Sequence, residues 1–361
     1  MNIKLLAALS TFGLLAGIAL FLPGQSVAGE GAATSAYKVL APIRHGNLTV
    51  FPVVAARSYD TREFLTLDEG LRSGEVVVTE FGSVQPLIRR RRTPVSHDGP
   101  QVNQLVLVNN SKRPLILLAG EIVTGGKQDR VIGKDRIIPA ESDPIDLGVF
   151  CVEPGRWTGS SAKFDPVNGA MAQPAVRSKA MVEKDQAQVW SEVSRAKEAI
   201  SVELSAPAAG AVAATSSYAR VMQNEEVKQR VDSVAEPIQR NYQSLMQQLR
   251  DQNAVGVAVA VNGQIVWADI FASTNLLEKY WPKLVRSYAA EAVATRTKGR
   301  EAEVKQAQEF LNHIDGRHQT VDSEPGLYRH TEIAGDGFRA FELTSLLPKT
   351  GFDLHVAKMA E

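Results

Sequence analysis

The sequence has almost no cysteine and no excess of either charge. Cys151 is the single cysteine among 361 residues, so the chain cannot form an internal disulfide and its stability must come from packing. Lysine and arginine together number 40, aspartate and glutamate also number 40, and the formal net charge is therefore zero. This balance predicts binding neither to nucleic acid nor to an anionic membrane surface.

Recognisable catalytic and metal-binding motifs are also missing. The closest pair among the six histidines, His313 and His318, is five residues apart, whereas a zinc-binding helix presents two histidines four apart. The sequence contains no GxSxG elbow and no legible Ser/His/Asp arrangement. We therefore expect no metal, no cofactor and no complete catalytic motif.

The glycine-rich segment GEIVTGGKQ is similar in spacing to a phosphate-binding P-loop but departs from it at two places. Gly126 precedes Lys127, and Gln128 stands where the motif needs a hydroxyl group for the metal ion. The following VIGKDRIIP alternates like a strand, whereas a P-loop leads into a helix. The sequence thus disfavours hydrolysis of nucleoside triphosphates.

Two interpretations of this segment remain open. Consecutive glycines, Gly125 and Gly126, expose backbone N–H groups beside Lys127 and Arg130, and such groups can cradle an anion. The alternative is a tight turn or bulge in which Glu121 pairs with Lys127. The apolar residues 115–119 predict a buried strand that leads into this loop.

The segment FCVEPGRW is similar to the Cys-loop-Arg of tyrosine phosphatases and rhodaneses. Only four residues separate Cys151 from Arg156 instead of five, Pro154 removes one N–H donor, and Glu153 would repel an anion. Cys151 also ends an apolar run, so we predict a buried, structural thiol. Glu153, Arg156 and Trp157 form either a salt-bridged turn packed under the indole or a rim that faces a ligand.

Two blocks of sequence resemble a known family. They are GEIVTGGKQDR with FCVEPGRW, and GVAVAVNGQIVWADIF leading into KYWPKLVRSYAAEA. In this order they resemble the bacterial domain named for its association with ADP-ribosylglycohydrolases and the rhodanese-phosphatase superfamily, over residues 47–292. The resemblance implies neighbours of that kind and no established activity.

Hydrophobic periodicity predicts an α+β fold with a central, mostly antiparallel, sandwich-like sheet, a helical insertion and covering helices. Strands are predicted at 47–54, 75–81, 104–108, 115–118, 136–139 and 145–152, and two or three more within 326–358. Residues 104–108 and 115–118 predict a hairpin, because the intervening loop is rich in turn residues. Strands, then helices, then strands argue against regular βαβ alternation.

The chain after the first 28 residues is predicted to be one domain, 29–361, in which 158–252 is a mainly helical insertion. Apolar residues at helical spacing run through 227–249, where Pro237 predicts either a kink or a break into two helices. The Ala/Ser/Pro-rich residues 205–217 predict a flexible connector.

The hairpin at residues 255–271 is the clearest local prediction, because Asn262 and Gly263 suit the two positive-φ positions of a tight turn. Both of its faces are apolar, so it should be central and covered by helices. Counting outward from the turn predicts the pairs Ala260 with Ile265, Ala258 with Trp267, and Gly256 with Asp269.

Asp269 is the exception on these apolar faces, where it shares a face with Trp267. A buried carboxylate needs a cationic partner or several hydrogen bonds. We expect the partner to be Lys127, Arg130 or Arg156, each of which lies next to a turn that can direct it inward.

Three kinds of function are open. The favoured one is an exported, non-catalytic binding or scaffold domain that recognises a small anionic or nucleotide-derived ligand through the Gly-Gly-Lys loop. The alternative is a hydrolase or transferase for a phosphate-bearing or ADP-ribose-like compound, with Glu121 or Asp269 as base and Lys127 and Arg156 as oxyanion donors. The third is an envelope interaction protein that works through its long helices, with no partner indicated. The candidate ligand-binding residues are Gly125, Gly126, Lys127, Gln128, Arg130, Glu153, Arg156 and Trp157.

The first 28 residues predict export. An apolar run follows Lys4, and SVA ending at Ala28 is a small-x-small cleavage site, so the mature chain should be periplasmic or secreted, with no stable membrane span. N-terminal sequencing of the mature protein should then begin at Gly29. An intact Met1 in the membrane fraction would instead indicate an anchor, since the run approaches the ~20 residues that span a bilayer.

Overall fold

The structure is a computed structural model that describes residues 37–80, 103–155, 161, 163–248, 252–296, 299–312, 316 and 318–361. The expected signal peptide lies outside the described residues. Within them, every helix is too short or too polar to cross a bilayer.

The described residues form 18 strands and eight α-helices. The strands are β1 (Tyr37–Val39), β2 (Ile43–His45), β3 (Leu48–Ala55), β4 (Leu65–Thr66), β5 (Val76–Glu80), β6 (Gln104–Asn109), β7 (Leu115–Leu117), β8 (Glu121–Gly125), β9 (Arg130–Ile132), β10 (Arg136–Ile138), β11 (Ile145–Cys151), β12 (Phe164–Met171), β13 (Asn253–Val261), β14 (Gln264–Phe271), β15 (His318–Glu324), β16 (Tyr328–Ala334), β17 (Phe338–Ser345) and β18 (Asp353–Ala360). The helices are α1 (Leu67–Ser73), α2 (Pro174–Ser178), α3 (Gln186–Ser201), α4 (Ala206–Ala214), α5 (Tyr218–Gln223), α6 (Glu225–Gln248), α7 (Thr274–Val293) and α8 (Val304–Asn312), and a π-helical turn (Lys179–Glu183) follows α2.

The predicted α+β class with mostly antiparallel pairing is confirmed, but the strands form three sheets. The largest has the order β1-β3-β13-β14-β18-β17-β16-β15, with β2 also paired to β3. The second has the order β12-β8-β9-β11-β6-β5, and the third has the order β10-β7-β4, in which β4 and β7 run parallel. Apolar side chains of the second and third sheets share one core, which makes this part sandwich-like.

The predicted hairpin of residues 104–118 is wrong, although both strands exist. β6 pairs with β5 and β11, whereas β7 pairs with β10 and β4 in another sheet. Asn109 holds the loop between them in place, because its side-chain amide donates to the carbonyl groups of Arg113 at 2.8 Å and Pro139 at 2.9 Å. The turn residues therefore predicted the loop correctly, but they did not determine whether the two strands on either side of it pair with each other.

The central hairpin is confirmed, with one change of register. Asn262 and Gly263 have φ of 53° and 77°, and Ala260 pairs with Ile265 as expected. A bulge follows at Val266, so the next pairs are Val259 with Trp267, Ala258 with Ala268 and Val257 with Asp269. The predicted pairs Ala258 with Trp267 and Gly256 with Asp269 are wrong, because the extra residue in β14 shifts its partner by one.

Both faces of the hairpin are covered, as its two apolar faces predicted. Val257, Val259 and Trp267 belong to the core that includes α6 and α7, whereas Ala258 and Ala268 belong to the core that includes α8. Since side chains alternate between the faces of a strand, Asp269 lies on the Trp267 face beneath α7. This position determines the environment of its carboxylate.

One prediction within the helical region needs correction, and one of two alternatives at Pro237 is excluded. Residues 206–214, expected to be part of a flexible connector, form α4; the Ser205 side chain accepts from the Ala208 N–H, and a proline occupies the first turn. Alanine favours the helix strongly, so composition alone misled the assignment. In α6, Pro237 lies inside one helix and does not divide it into two.

Gly263→Ala should lower the free energy of unfolding more than Gly46→Ala. Both glycines have positive φ, which costs an alanine about 1–2 kcal/mol, but a Cβ at Gly263 would lie 2.9 Å from Cβ of Arg300, whereas the space at Gly46 is open. We expect the crowding to add about 1–3 kcal/mol in urea denaturation. Equal losses for the two variants would contradict the close approach of Arg300.

Candidate functional site

The turn between β7 and β8 places the first candidate carboxylate. β7 leads into the turn at Gly120, where the glycine-rich segment begins, as predicted, and β8 then carries the chain from Glu121 to Gly125. Gly120 has φ of 97°, and a Cβ there would lie 2.5 Å from Cγ of Arg177. The glycine is needed because the arginine side chain passes directly over the turn.

Asp269 pairs with Arg177, a residue that the sequence did not identify. Nη1 and Nη2 of Arg177 donate to the two carboxylate oxygens at 2.9 Å each, and both side chains have no exposed surface. The guanidinium also lies over the ring of Trp267, 4.4 Å from its centroid. The expectation of a cationic partner is confirmed, but Lys127 and Arg130 are not that partner, and Arg156 lies outside the described residues.

Helix α7 positions Arg177 through α2. Glu291 of α7 accepts from the backbone N–H of Ala175 at 3.0 Å and from the amide of Gln173 at 3.1 Å, so its carboxylate caps the N-terminus of α2. Tyr288, one turn earlier in α7, donates its hydroxyl to Asp269. One helix thus supports both members of the Arg177–Asp269 pair.

His355 extends the network to a second buried carboxylate. Its Nδ1 lies 2.6 Å from Asp135 and its Nε2 lies 3.0 Å from Asp269. Burial alone would lower the pKa of His355, but Asp135 and Asp269 outweigh it and raise the pKa to about 9. The stability from this charge is therefore present below pH ~6.5, the unfolded pKa, and is lost as the pH rises through the folded pKa.

Glu121 lies in another buried cluster. Its carboxylate accepts from the Leu118 N–H at 2.7 Å and from Lys283 at 2.6 Å, and Lys283 also lies 2.6 Å from Asp68. Burial raises the pKa of Glu121, whereas the two carboxylates raise the pKa of Lys283 against the effect of burial. The proposed pairing of Glu121 with Lys127 is therefore wrong.

The Gly-Gly-Lys loop directs its backbone N–H groups at the chain's own oxygen atoms. The Lys127 N–H donates to Glu80 at 2.5 Å, the Asp129 N–H donates to Glu153 at 3.0 Å, and the Gly126 N–H donates to Ser161 at 3.2 Å. The side chain of Gln128 donates to the Glu153 carbonyl at 3.0 Å. The loop is an anion cradle in form, and carboxylates of the same chain fill it.

Arg130 and Cys151 face each other in β9 and β11 and are both buried. Nη2 of Arg130 lies 4.0 Å from the Glu80 carboxylate that accepts from the loop. Burial raises the pKa of the Cys151 thiol, in agreement with the predicted structural role. Trp157, like Arg156, lies outside the described residues.

A cleft of about 260 Å³ opens beside the loop; we call it the Gly125 cleft. Its wall includes Thr124, Gly125, Asp129, Ser161, Asp165 and Arg220. Asp129 is held there by the Ser217 hydroxyl at 2.6 Å, whereas Asp165 and Arg220 are exposed and form no ion pair within the described residues. Among the predicted site residues that the structure describes, Gly125 alone lies on this wall; Glu121 and Asp269 are not on it.

The other residues of the cleft had weak signals in the sequence or none. Asp129 lies inside the GGKQDR segment, between the predicted site residues Gln128 and Arg130, but is not itself among the predicted site residues. Asp165 belongs to β12, Ser161 precedes that strand, and Arg220 belongs to α5. None of these segments carries a motif. Only the fold brings these segments to the loop.

A model of the protein family described as the ARG and Rhodanese-Phosphatase-superfamily-associated Protein domain matches residues 36–357. The match confirms the resemblance carried by the two sequence blocks and extends beyond residues 47–292 at both ends. No curated protein and no solved structure matches the chain.

Asp269→Asn should destabilise the fold strongly, by about 3–5 kcal/mol, because it leaves the Arg177 charge buried without its counter-charge. Glu183→Gln is the matched control, since Glu183 forms a half-exposed pair with Lys179 and should change stability by about 1 kcal/mol or less. Urea denaturation of both variants measures the difference. A small loss in Asp269→Asn would show that the pair contributes little to stability.

Proposed function

Because the chain belongs to the ARG and Rhodanese-Phosphatase-superfamily-associated Protein domain family, we propose that it is an exported, non-catalytic binding domain. It works beside ADP-ribosylglycohydrolases or enzymes of the rhodanese-phosphatase superfamily. Its ligand occupies the Gly125 cleft. The observation that carries the proposal is the burial and pairing of both candidate catalytic carboxylates, together with an open cleft at Gly125, the last residue of the strand that begins with Glu121.

The environment of the two carboxylates argues against catalysis by them. A general base must come within hydrogen-bond reach of a proton on the substrate. Glu121 and Asp269 are 1% and 0% exposed, and each already accepts hydrogen bonds from buried cations. Neither lines the Gly125 cleft, so a ligand there does not meet them.

The cleft offers different recognition groups from those expected of the Gly-Gly-Lys loop. The loop N–H groups are occupied by Glu80, Glu153 and Ser161, so they do not supply the anion contact. Arg220 takes that role, because its exposed guanidinium can bind a phosphate through two parallel hydrogen bonds.

The carboxylates of the cleft complement hydroxyl groups. Asp129 and Asp165 are acceptors, and Thr124 adds a hydroxyl that can both donate and accept, whereas the Ser161 hydroxyl already donates to the Lys163 carbonyl. A ligand with several hydroxyls and one anionic group, as in a sugar phosphate, matches these groups. The volume of about 260 Å³ accommodates a group of that size, and only one end of a larger nucleotide-derived compound.

Calorimetric titration with ribose 5-phosphate tests the proposal. Arg220→Gln should weaken binding by roughly tenfold or more, because a charged hydrogen bond to the phosphate is lost. Asp165→Asn should weaken it less, and ribose alone should bind more weakly than its phosphate. Phosphorus NMR of the same mixture should show the probe unchanged.

Arg240→Gln is the matched control, since Arg240 is an exposed helical arginine paired with Glu236, away from the cleft. It should leave the affinity unchanged. Binding that Arg220→Gln does not alter, or no binding at millimolar probe, would contradict the assignment of the cleft. Turnover of the probe would contradict the non-catalytic role.

A further inference from the structure

The largest sheet ends on one side in β15, and the outer edge of this strand is open. β15 is the last strand in the order of the sheet, and among the described residues it pairs with β16 alone. Six of its seven residues are exposed. Alternate residues of an edge strand direct their N–H and C=O groups away from the sheet, so β15 presents a row of unpaired backbone groups.

The opposite end of the same sheet is closed by a side chain. The strand order ends there in β1, along which Gln308 of α8 lies. The amide oxygen of Gln308 accepts from the Val39 N–H at 2.9 Å, and its amide nitrogen donates to the Tyr37 carbonyl at 3.1 Å. A peptide group of a further strand would form the same two bonds, so Gln308 ends the sheet at β1. In the part of the chain that the structure describes, no side chain bonds to the backbone of β15 in this way.

β15 also lacks most of the features that protect an exposed edge. Natural edge strands are commonly very short, carry lysine or proline, or contain a bulge. β15 is seven residues long, has the sequence HQTVDSE, and pairs with β16 from His318 to Glu324 without a shift of register. Its two carboxylates are the remaining protection, since like charges on neighbouring strands repel each other.

Lys134 and Arg136 neutralise these two carboxylates. Lys134 forms an ion pair with Asp322, and Nη2 of Arg136 lies 3.5 Å from the carboxylate of Glu324. Residues two apart in a strand lie on the same face, so the four charges are grouped there and cancel. A second strand of the same sequence can therefore approach β15 with little repulsion.

The sequence of β15 is complementary to itself when two copies run antiparallel. With Val321 opposite Val321 of a second copy, the remaining residues form three kinds of polar pair: His318 with Glu324, Gln319 with Ser323, and Thr320 with Asp322. The hydroxyl of Thr320 can donate to the carboxylate of Asp322, and the two valines cover each other. Moving the axis by one residue, to Asp322, would instead place two carboxylates opposite each other. Charge complementarity therefore favours the register centred on Val321.

We propose that the protein forms a dimer in which the β15 strands of two copies pair antiparallel about Val321, so that the largest sheet continues from one copy into the other. Such a pair forms about six to eight backbone hydrogen bonds. It also covers Val321, which is 54% exposed in the single chain. The contact is small compared with permanent dimer interfaces, so the dimer should dissociate on dilution. The Gly125 cleft contains no residue of β15, so the dimer does not depend on the ligand proposed there.

Sedimentation equilibrium of the purified protein over a range of concentrations tests the proposal, and we expect a reversible equilibrium of monomer and dimer. Val321→Lys should weaken dimerisation by roughly tenfold or more, because two like charges then lie opposite each other and the valine contact is lost. Val321→Glu should have the same effect. An equimolar mixture of the two variants, one of them carrying a fluorescent label, should form a heterodimer, because opposite charges then meet at the axis.

Val202→Lys is the matched control, since Val202 is another exposed valine and lies at the end of α3. It should leave dimerisation unchanged, and thermal denaturation of every variant checks that it is folded. A protein that stays monomeric at its highest soluble concentration would overturn the proposal and would leave the edge to an extended segment of another protein. So would a dimer that Val321→Lys does not weaken, or a mixture of the two charged variants that stays monomeric.

Discussion

The ion pair of Arg177 with Asp269 connects parts of the chain that are distant in sequence. Asp269 belongs to the central hairpin, Arg177 to the short helix α2, and His355, which also contacts Asp269, to strand β18. Both charges have lost their water, so the pair is not a simple source of stability, since desolvation opposes the attraction. Its importance is that any arrangement that separates the partners leaves a buried charge without compensation.

Neighbouring features of the structure accommodate this pair. Gly120 leaves room for the arginine side chain, Trp267 covers its guanidinium, and Glu291 caps the helix that carries it. Through His355 the network reaches Asp135, whose burial directs Lys134 and Arg136 to the outer surface.

At the Gly-Gly-Lys loop, too, the groups that hold the structure together are not the groups that a ligand can reach. Its backbone donors satisfy Glu80 and Glu153, and this arrangement anchors the loop to β5 and to the turn after β11. The groups that remain open to a ligand belong to residues beside the loop, chiefly Asp165 and Arg220. Charged residues grouped in a sequence motif therefore need not form a binding site, because buried charges take one another as partners.

The sequence by itself determined the family and several of the elements, above all the central hairpin. The positive-φ turn at Asn262 and the apolar faces around Trp267 depend on neighbours within a few residues, and the structure has both. The same local reasoning showed that Asp269 needs a partner, because the cost of burying a bare carboxylate does not depend on the rest of the fold.

The identity of that partner was decided only by tertiary structure. Arg177 and His355 are 92 and 86 residues away, and no local pattern marks either of them. A single bulge at Val266 shifted the hairpin register, and a crossing between sheets separated β6 from β7, because strand pairing depends on packing across the whole core.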